Sequence, residues 1–295
     1  MEFISVVIYD LDMRYRIIIS ACLLFSLYAC SGNSPGSVKD TTLKPADSAA
    51  FQKSISTKKE SGLKTIHVFV ALCDNKYQGI VPVPAKIGNG QDAATNLYWG
   101  AAFGIKTFFN KSSDWKIIEV KKSPAENILE RILFKHKTKN IYLLADAYDG
   151  QYIKQTTIDF LLACSGKGTT TISNDGKEIP FGGASDIIAY VGHDGLMDFS
   201  LSNEFGKQND EDRKAIMLAC ISKKYFSSHI KSSGAEPLLW STGLMAPEAY
   251  ILHDALNKWI DTGDATQTRN AAAAAYSKYQ RCSLKAAQIL LVTGW

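Results

Sequence analysis

Two residues with complementary chemistry each follow an apolar segment of strand length. His193 comes after residues 186–191 and Gly192, and Cys220 comes directly after residues 215–219. An imidazole can take the proton of a thiol, and the resulting thiolate can attack a carbonyl carbon. The pair therefore predicts covalent catalysis, with Cys220 as the nucleophile and His193 as the general base.

Each of these residues also has a structural interpretation when it is taken alone. A cysteine at a strand end often packs as a small apolar residue, and a histidine near a turn often only holds that turn by a hydrogen bond. The catalytic interpretation depends on both residues lying at the ends of consecutive apolar strands. It requires a fold that brings these two ends together.

The segments around the pair alternate between strands and helices. Strands are predicted at residues 65–72, 115–120, 140–145, 186–191, 215–219 and 238–241. Helices are predicted at residues 92–109, 124–134, 154–164, 247–260 and 270–289, and residues 165–185 form either a hairpin or an exposed loop. The alternation predicts a single α/β domain at residues 63–295, a three-layer sandwich with a mainly parallel central sheet and helices on both faces.

The carboxyl ends of the strands are the expected binding edge, because ligands of open parallel sheets bind there. The residues between His193 and Cys220 are enough for a right-handed crossover, so their strands can be parallel neighbours. Cys73 ends the first strand and is expected either to line the cleft or to pack. Asp146 and Asp149 end another strand, and they either bind a cation or a basic side chain or cap the helix that follows.

The N-terminus predicts export. A basic segment precedes the apolar run of residues 17–29, which is too short to span a bilayer and is typical of a secretory signal. The run ends at Cys30 in a sequence that resembles the bacterial lipobox, whose cysteine carries the lipid. Residues 1–30, with Met13 as an alternative start, are predicted to be a lipoprotein signal peptide, and residues 31–62 a flexible tether.

This interpretation predicts that the N-terminal lipid anchors the protein to a membrane. The expected location is the bacterial cell envelope, at the outer membrane. A plain signal peptide or a buried amphipathic start is the alternative. The net charge of +4 is spread over the chain and interleaved with acidic residues, which predicts no nucleic-acid partner. No HExxH, Cys-x-x-Cys, P-loop or GxSxG motif is present, so neither a metal nor another cofactor is expected.

The cysteine count also limits the chemistry. If Cys22 leaves with the signal and Cys30 carries lipid, the remaining cysteines are Cys73, Cys164, Cys220 and Cys282. Such a set is too small for a disulfide scaffold in a domain of this length, and at most one pair is expected.

The pattern around the pair resembles the caspase-haemoglobinase superfamily of cysteine peptidases, which includes caspases, legumains and gingipains. Its signature is a strand followed by His-Gly and then a strand followed by Ala-Cys. IHVFVAL resembles the first central strand, DAATNLYWGAAFGIKTFF the first helix, and DAYDGQYIKQTTIDFLL the segment before the histidine strand. GAEPLLWSTGLMAPEAYILHDALNKWI is similar to the strand, substrate-facing loop and helix after the cysteine, so the resemblance covers residues 65–260.

The resemblance implies a caspase-like fold and an endopeptidase that hydrolyses a peptide or protein substrate. It implies that His193 is the base, that Cys220 is the nucleophile, and that backbone N–H groups form the oxyanion hole. These N–H groups belong to Cys220 and to either Asp194 or Gly195. The residues implied to contact the substrate are Cys73, Asp74, Trp240, Ser241 and Thr242.

The chain departs from the family at two places. Asp194 stands where the family has glycine after the histidine, and residues 221–223 differ from the segment that follows the cysteine in caspases and legumains. One alternative is therefore an inactive member that serves as a binding or scaffolding lipoprotein. Another is a hydrolase with a different constellation on a flavodoxin-like sheet.

Overall fold

The computed structural model describes residues 60–202 and 205–295. The expected signal peptide, which ends at Cys30, lies outside this part of the chain. So does almost all of the expected tether. No helix in the described ranges is both long and apolar enough to cross a membrane.

Ten strands and six α-helices make up the described chain. In chain order they are β1 (Lys64–Ala71), α1 (Ile105–Asn110), β2 (Trp115–Ala125), β3 (Ile128–His136), β4 (Ile141–Tyr148), α2 (Ile153–Cys164), β5 (Thr170–Asn174), β6 (Lys177–Phe181), β7 (Ile187–Val191), β8 (Lys214–Leu218), α3 (Ser222–Ser233), β9 (Glu236–Ser241), α4 (Ala249–Thr262), α5 (Ala265–Gln280), α6 (Leu284–Leu290) and β10 (Leu291–Val292).

Eight of these strands form one sheet in the order β10-β9-β8-β7-β1-β4-β3-β2. The five strands from β9 to β4 are parallel to their neighbours, whereas β3, β2 and β10 pair antiparallel. The strands β5 and β6 form a separate hairpin. The predicted α/β class with a mostly parallel central sheet is therefore confirmed.

Helices flank the sheet on both faces, which is compatible with the expected three-layer sandwich. Ile66, Val68 and Val70 of β1 belong to the same apolar cluster as buried side chains of α1, α4 and α5. Phe69 of the same strand belongs to a second cluster with side chains of α2 and α3. Because both faces are covered, almost every residue of β1 is buried, which explains its continuous apolar sequence.

The prediction of a helix at residues 124–134 is wrong, because this segment spans the end of β2, the turn and most of β3 in the β2–β3 hairpin. Asn127 in the turn has φ of 64°, a left-handed conformation that the helical interpretation does not allow. The alternate positions Ile128, Glu130 and Ile132 are buried, as in a strand. The strand pattern of alternate buried positions is not evident in the sequence because Glu130, a charged residue, occupies one of them. Its burial is explained only by the ion pairs that it forms with Lys106 and Lys122.

Other boundaries also differ from the predicted ones. Helix α1 (Ile105–Asn110) overlaps only the last five residues of the predicted helix 92–109. The remainder forms turns in which a Cβ on Gly100 would lie 2.0 Å from the Ala94 carbonyl oxygen. The helix α3 was not predicted. The predicted helix 270–289 is two helices, because Arg281 at φ 53° ends α5 and Ser283 caps α6. Residues 165–185 adopt the hairpin alternative.

A buried ion network ties β1, β4 and β3 together. Asp146 accepts hydrogen bonds from Nε of Arg131 at 2.6 Å, from its Nη2 at 2.7 Å, and from Nε2 of His67 at 3.0 Å. Burial opposes ionisation, but these bonds lower the pKa of Asp146 below its usual value. Asp146 is thus already paired within the sheet, and Asp149 follows the capping alternative by accepting the Gln151 N–H at 2.9 Å.

Removing the arginine of this network should destabilise the fold strongly. In Arg131→Leu, Asp146 keeps its burial but loses two charged hydrogen bonds, so we expect the unfolding free energy to fall by about 3–5 kcal/mol. The exposed pair Lys177–Glu60 provides the control, and Lys177→Met should cost less than about 1 kcal/mol. Urea denaturation of the three proteins measures both values, and equal losses in the two variants would contradict the structural role of the network.

Candidate functional site

His193 and Cys220 follow two adjacent parallel strands at the carboxyl edge of the sheet. The strands β7 and β8 are parallel neighbours in which Val191 pairs with Leu218, and the Gly192 N–H donates to the Leu218 carbonyl at 3.2 Å. His193 and Cys220 each stand two positions after this last pair. The predicted meeting of the two strand ends is therefore present in the fold.

Two local conformations set up this edge. Gly192 has φ of 150°, and a Cβ there would lie 2.7 Å from the Ala71 carbonyl oxygen at the end of β1. Only glycine lets β7 pass so close to β1 before the chain turns at His193. Beyond Cys220, Ile221 has φ of 51° and turns the chain into α3, which keeps the cysteine at the rim.

A carboxylate orients the imidazole of His193. Nε2 of the ring lies 2.8 Å from Oδ2 of Asp198, and this oxygen also accepts the Gly79 N–H at 2.9 Å. Because a carboxylate can only accept, Nε2 carries the hydrogen in the neutral ring and Nδ1 keeps its lone pair. A Cβ on Gly79 would lie 2.3 Å from Oδ1 of Asp198, so the glycine is needed for this contact.

The thiol of Cys220 lies against the loop after β9. Its Sγ is 3.4 Å from the backbone nitrogen of Met245 and 3.5 Å from the carbonyl oxygen of the same residue. Burial raises the pKa of Cys220, the Met245 N–H opposes the rise, and the charge of Asp194 adds to it. The resting thiol is therefore protonated, and no hydrogen bond joins it to His193 among the described residues.

Asp194 is a buried carboxyl group beside this thiol. Its Oδ1 accepts the Leu196 N–H at 3.0 Å, whereas Oδ2 has no hydrogen-bond partner in residues 60–202 and 205–295. Burial raises the pKa of Asp194 to about 7, with a further increase from Asp198 that the Leu196 N–H partly offsets. Its ionisation near neutral pH therefore works against formation of the Cys220 thiolate.

The backbone N–H groups at this edge bear on the expected oxyanion hole. The N–H groups of Asp194 and Cys220 make no hydrogen bond within the part of the chain that the structure describes. Asp194 and Gly195 are both buried, so neither N–H is singled out as the partner of the Cys220 N–H. The oxyanion hole formed by Cys220 with either Asp194 or Gly195 therefore stays a prediction.

Most of the expected substrate-contacting side chains are buried. Cys73 lies beside Tyr98, and burial raises the pKa of Cys73 to about 12. Asp74 accepts backbone N–H groups of its own loop and the Gln91 amide. Trp240 and Ser241 are also buried, and the Ser241 hydroxyl donates a hydrogen bond to the Ala219 carbonyl. Among the five expected residues, only Thr242 is exposed.

Asp198 and Met245 were missed by the sequence analysis. Asp198 had a usable signal, since it lies five positions after His193 in the same short loop. Met245 had none, because its backbone rather than its side chain contacts the thiol. Within the described ranges, no group of three or more His, Cys, Asp or Glu side chains is arranged to hold a metal ion.

Comparison of the chain with protein-family models, curated proteins and solved structures finds no match.

The unpaired carboxyl of Asp194 should make stability depend on pH. The folded pKa is raised, so its contribution is present at acidic pH and is lost as pH rises towards about 7. The difference in unfolding free energy between Asp194→Asn and the wild type should therefore shift in favour of the variant by on the order of 2–4 kcal/mol as the pH rises from about 4 to about 8. Asp175→Asn in the β5–β6 turn is the control. Parallel pH curves for Asp194→Asn and the wild type would contradict the buried, unpaired state.

The contact between Asp198 and His193 should fix the imidazole tautomer. We expect ¹⁵N NMR of the wild type to show the hydrogen of the neutral ring on Nε2, and Asp198→Ala to show a mixture of tautomers. Gly79→Ala should shift the mixture in the same direction because its methyl group displaces the carboxylate. Gly206→Ala, where a Cβ has open space, should leave the spectrum unchanged. An unaltered ring spectrum in Asp198→Ala would remove Asp198 from the site.

Proposed function

We propose that the chain is a cysteine endopeptidase of the caspase-haemoglobinase type, with Cys220 as nucleophile and His193 as general base. The observation that carries the proposal is the placement of both residues two positions beyond the last paired residues of adjacent parallel strands. This geometry supports a dyad at the edge where ligands of parallel sheets bind.

Asp198 supports the assignment of the base. With Nε2 holding a hydrogen for the carboxylate, Nδ1 is the ring atom that can accept a proton. We assign Asp198 the role of a positioning residue, because it contacts the imidazole and not the substrate. An oriented imidazole of this kind is the usual partner of a protonated nucleophile.

The proposed reaction follows from these groups. The S–H bond of Cys220 breaks as its proton moves to Nδ1 of His193, and the sulfur forms a bond to the scissile carbonyl carbon. The electron pair displaced onto the carbonyl oxygen is stabilised by the backbone N–H groups of Cys220 and of either Asp194 or Gly195. The C–N bond then breaks, the imidazolium protonates the leaving amine, and water hydrolyses the thioester to regenerate the thiol.

The electrostatics of the resting site favour this order of events. Because the pKa of Cys220 is raised, a standing thiolate–imidazolium pair is disfavoured, and proton transfer accompanies attack on a bound substrate. Below about pH 7 Asp194 is neutral and ceases to oppose the thiolate. The proposed enzyme is thus one whose nucleophile is activated by substrate binding.

The N-terminal sequence supports a location for the activity. We propose that Cys30 carries lipid and anchors the domain in the bacterial cell envelope at the outer membrane, with residues 31–62 as tether. The lipobox-like end of the apolar run at residues 17–29 is the basis of this proposal.

An inactive lipoprotein that binds or scaffolds another protein is the second candidate. The specific observation that favours it is the resting state of the nucleophile, which is protonated and hydrogen-bonded to the Met245 backbone. The replacement of glycine by Asp194 after the histidine also fits this candidate.

Thiol labelling distinguishes the two candidates. In the full chain we expect a peptidyl acyloxymethyl ketone to label Cys220, with labelling lost in Cys220→Ala and slowed about 10²–10⁴-fold in His193→Ala. Cys282→Ala removes another partly exposed thiol and should leave the rate unchanged. Peptide cleavage that disappears with Cys220→Ala would support the enzyme. Failure to label the intact protein, with no peptide cleaved, would support the scaffolding lipoprotein.

A further inference from the structure

We infer that the site accepts substrates with large apolar side chains beside the scissile bond, an inference that rests on the proposed function. It comes from the distribution of exposed apolar side chains over the described surface. Nine large apolar side chains are exposed in residues 60–202 and 205–295. Six of them lie in segments at the carboxyl edge of the sheet, namely Tyr77, Val81, Tyr152, Met197, Leu244 and Ile289.

These six side chains come from several loops that follow the strands at this edge. Tyr77 and Val81 follow β1, and Met197 lies in the His193 loop, whereas Tyr152 follows the neighbouring strand β4. Exposed apolar side chains that share one edge of a domain point to a surface that binds something apolar. Here they lie at the same edge as the proposed nucleophile.

Leu244 is the member nearest to the thiol along the chain. It is 63% exposed and precedes Met245, whose backbone holds Sγ of Cys220. The Gly243 carbonyl of the same loop accepts the Ile221 N–H at 2.8 Å, directly after the cysteine. A substrate carbonyl at Cys220 would therefore bring the neighbouring substrate side chain towards Leu244.

Ile289 extends this apolar surface. The Thr242 hydroxyl donates to the Ile289 carbonyl at 2.8 Å, and the Thr242 N–H donates to the Leu290 carbonyl at 2.8 Å. These bonds fix the end of α6 beside the loop that holds the thiol. Ile289 itself is 64% exposed, so its side chain is available for contact.

The same loop offers nothing to pair with a charged substrate side chain. Residues 241–247 read STGLMAP and contain no acidic or basic residue. Glu248 follows them, but burial raises the pKa of Glu248, and its carboxyl group accepts bonds from Tyr250 and Gln280. This loop therefore offers an acidic or basic substrate side chain no partner of opposite charge, whereas Leu244 offers an apolar side chain a contact.

A membrane surface is the other apolar partner to consider, and the arrangement favours a peptide. Leu244 directly precedes the Met245 backbone that contacts Sγ of Cys220, so a peptide held at the nucleophile can reach it. Insertion of Leu244 into lipid would also cover the neighbouring thiol.

The test compares peptides that differ at one position next to the cleaved bond, carrying Leu, Phe, Asn, Asp or Arg, with the full chain as enzyme. We expect kcat/KM to be about 10–200-fold higher for Leu and Phe than for Asp and Arg. Leu244→Gln should remove most of this preference, chiefly through KM. Leu284→Gln, an exposed leucine at the start of α6, is the matched control and should keep it.

Labelling of the Cys220 thiol by iodoacetamide separates this inference from the proposed function, because the reagent has no apolar side chain that Leu244 and its neighbours could bind. Labelling of Cys220 that depends on His193 supports the dyad. With such labelling, the apolar inference is overturned either if cleavage prefers Asp or Arg or if Leu244→Gln leaves the preference intact. If no peptide is cleaved and labelling does not depend on His193, both fail. If the protein binds anionic vesicles and Leu244→Gln weakens this binding but leaves the cleavage preference unchanged, the apolar side chains at this edge bind lipid instead.

Discussion

The parallel pairing of β7 with β8 is the constraint on which the candidate site depends. The two strands run in register up to Val191 and Leu218, so whatever follows each strand must emerge at the same height and only one strand spacing apart. A shift of one residue in either strand would reverse the face on which its side chains lie and separate imidazole from thiol. The apolar clusters on both faces hold this register, because Val191 and Leu218 pack with one cluster and Tyr190 and Met217 with the other.

Two aspartates in the same short loop have opposite environments. Asp198 accepts two hydrogen bonds, from Gly79 and His193, and its charge is satisfied. Asp194 is buried with one free carboxyl oxygen, so its ionisation is suppressed until the pH is near neutral. Two carboxyl groups whose environments differ in this way can serve different functions, as one orients the imidazole while the other controls how readily the thiol ionises.

The sequence was sufficient for the parts of the fold that follow from local pattern. The continuous apolar runs of β1, β4, β7 and β8 indicated strands buried on both faces, and they led to the prediction that the strands before His193 and Cys220 are parallel neighbours, which the sheet confirms. Glu130 was misleading because its burial depends on lysines from other segments of the chain. Asp198 and the Met245 backbone were not recognised because their contacts arise only when the loops are assembled. Burial of Trp240 and Ser241 likewise depends on tertiary packing.

The antiparallel strands at the margins of the sheet have a consequence for self-association. An open parallel sheet would expose unpaired backbone groups along both outer strands, and such edges invite pairing with another chain. Here β10 has only two residues, and β2 carries Lys121, Lys122 and Pro124 beside a left-handed Ser123. Neither margin presents a long flat apolar strand, so both edges are poor templates for pairing with another copy of the domain.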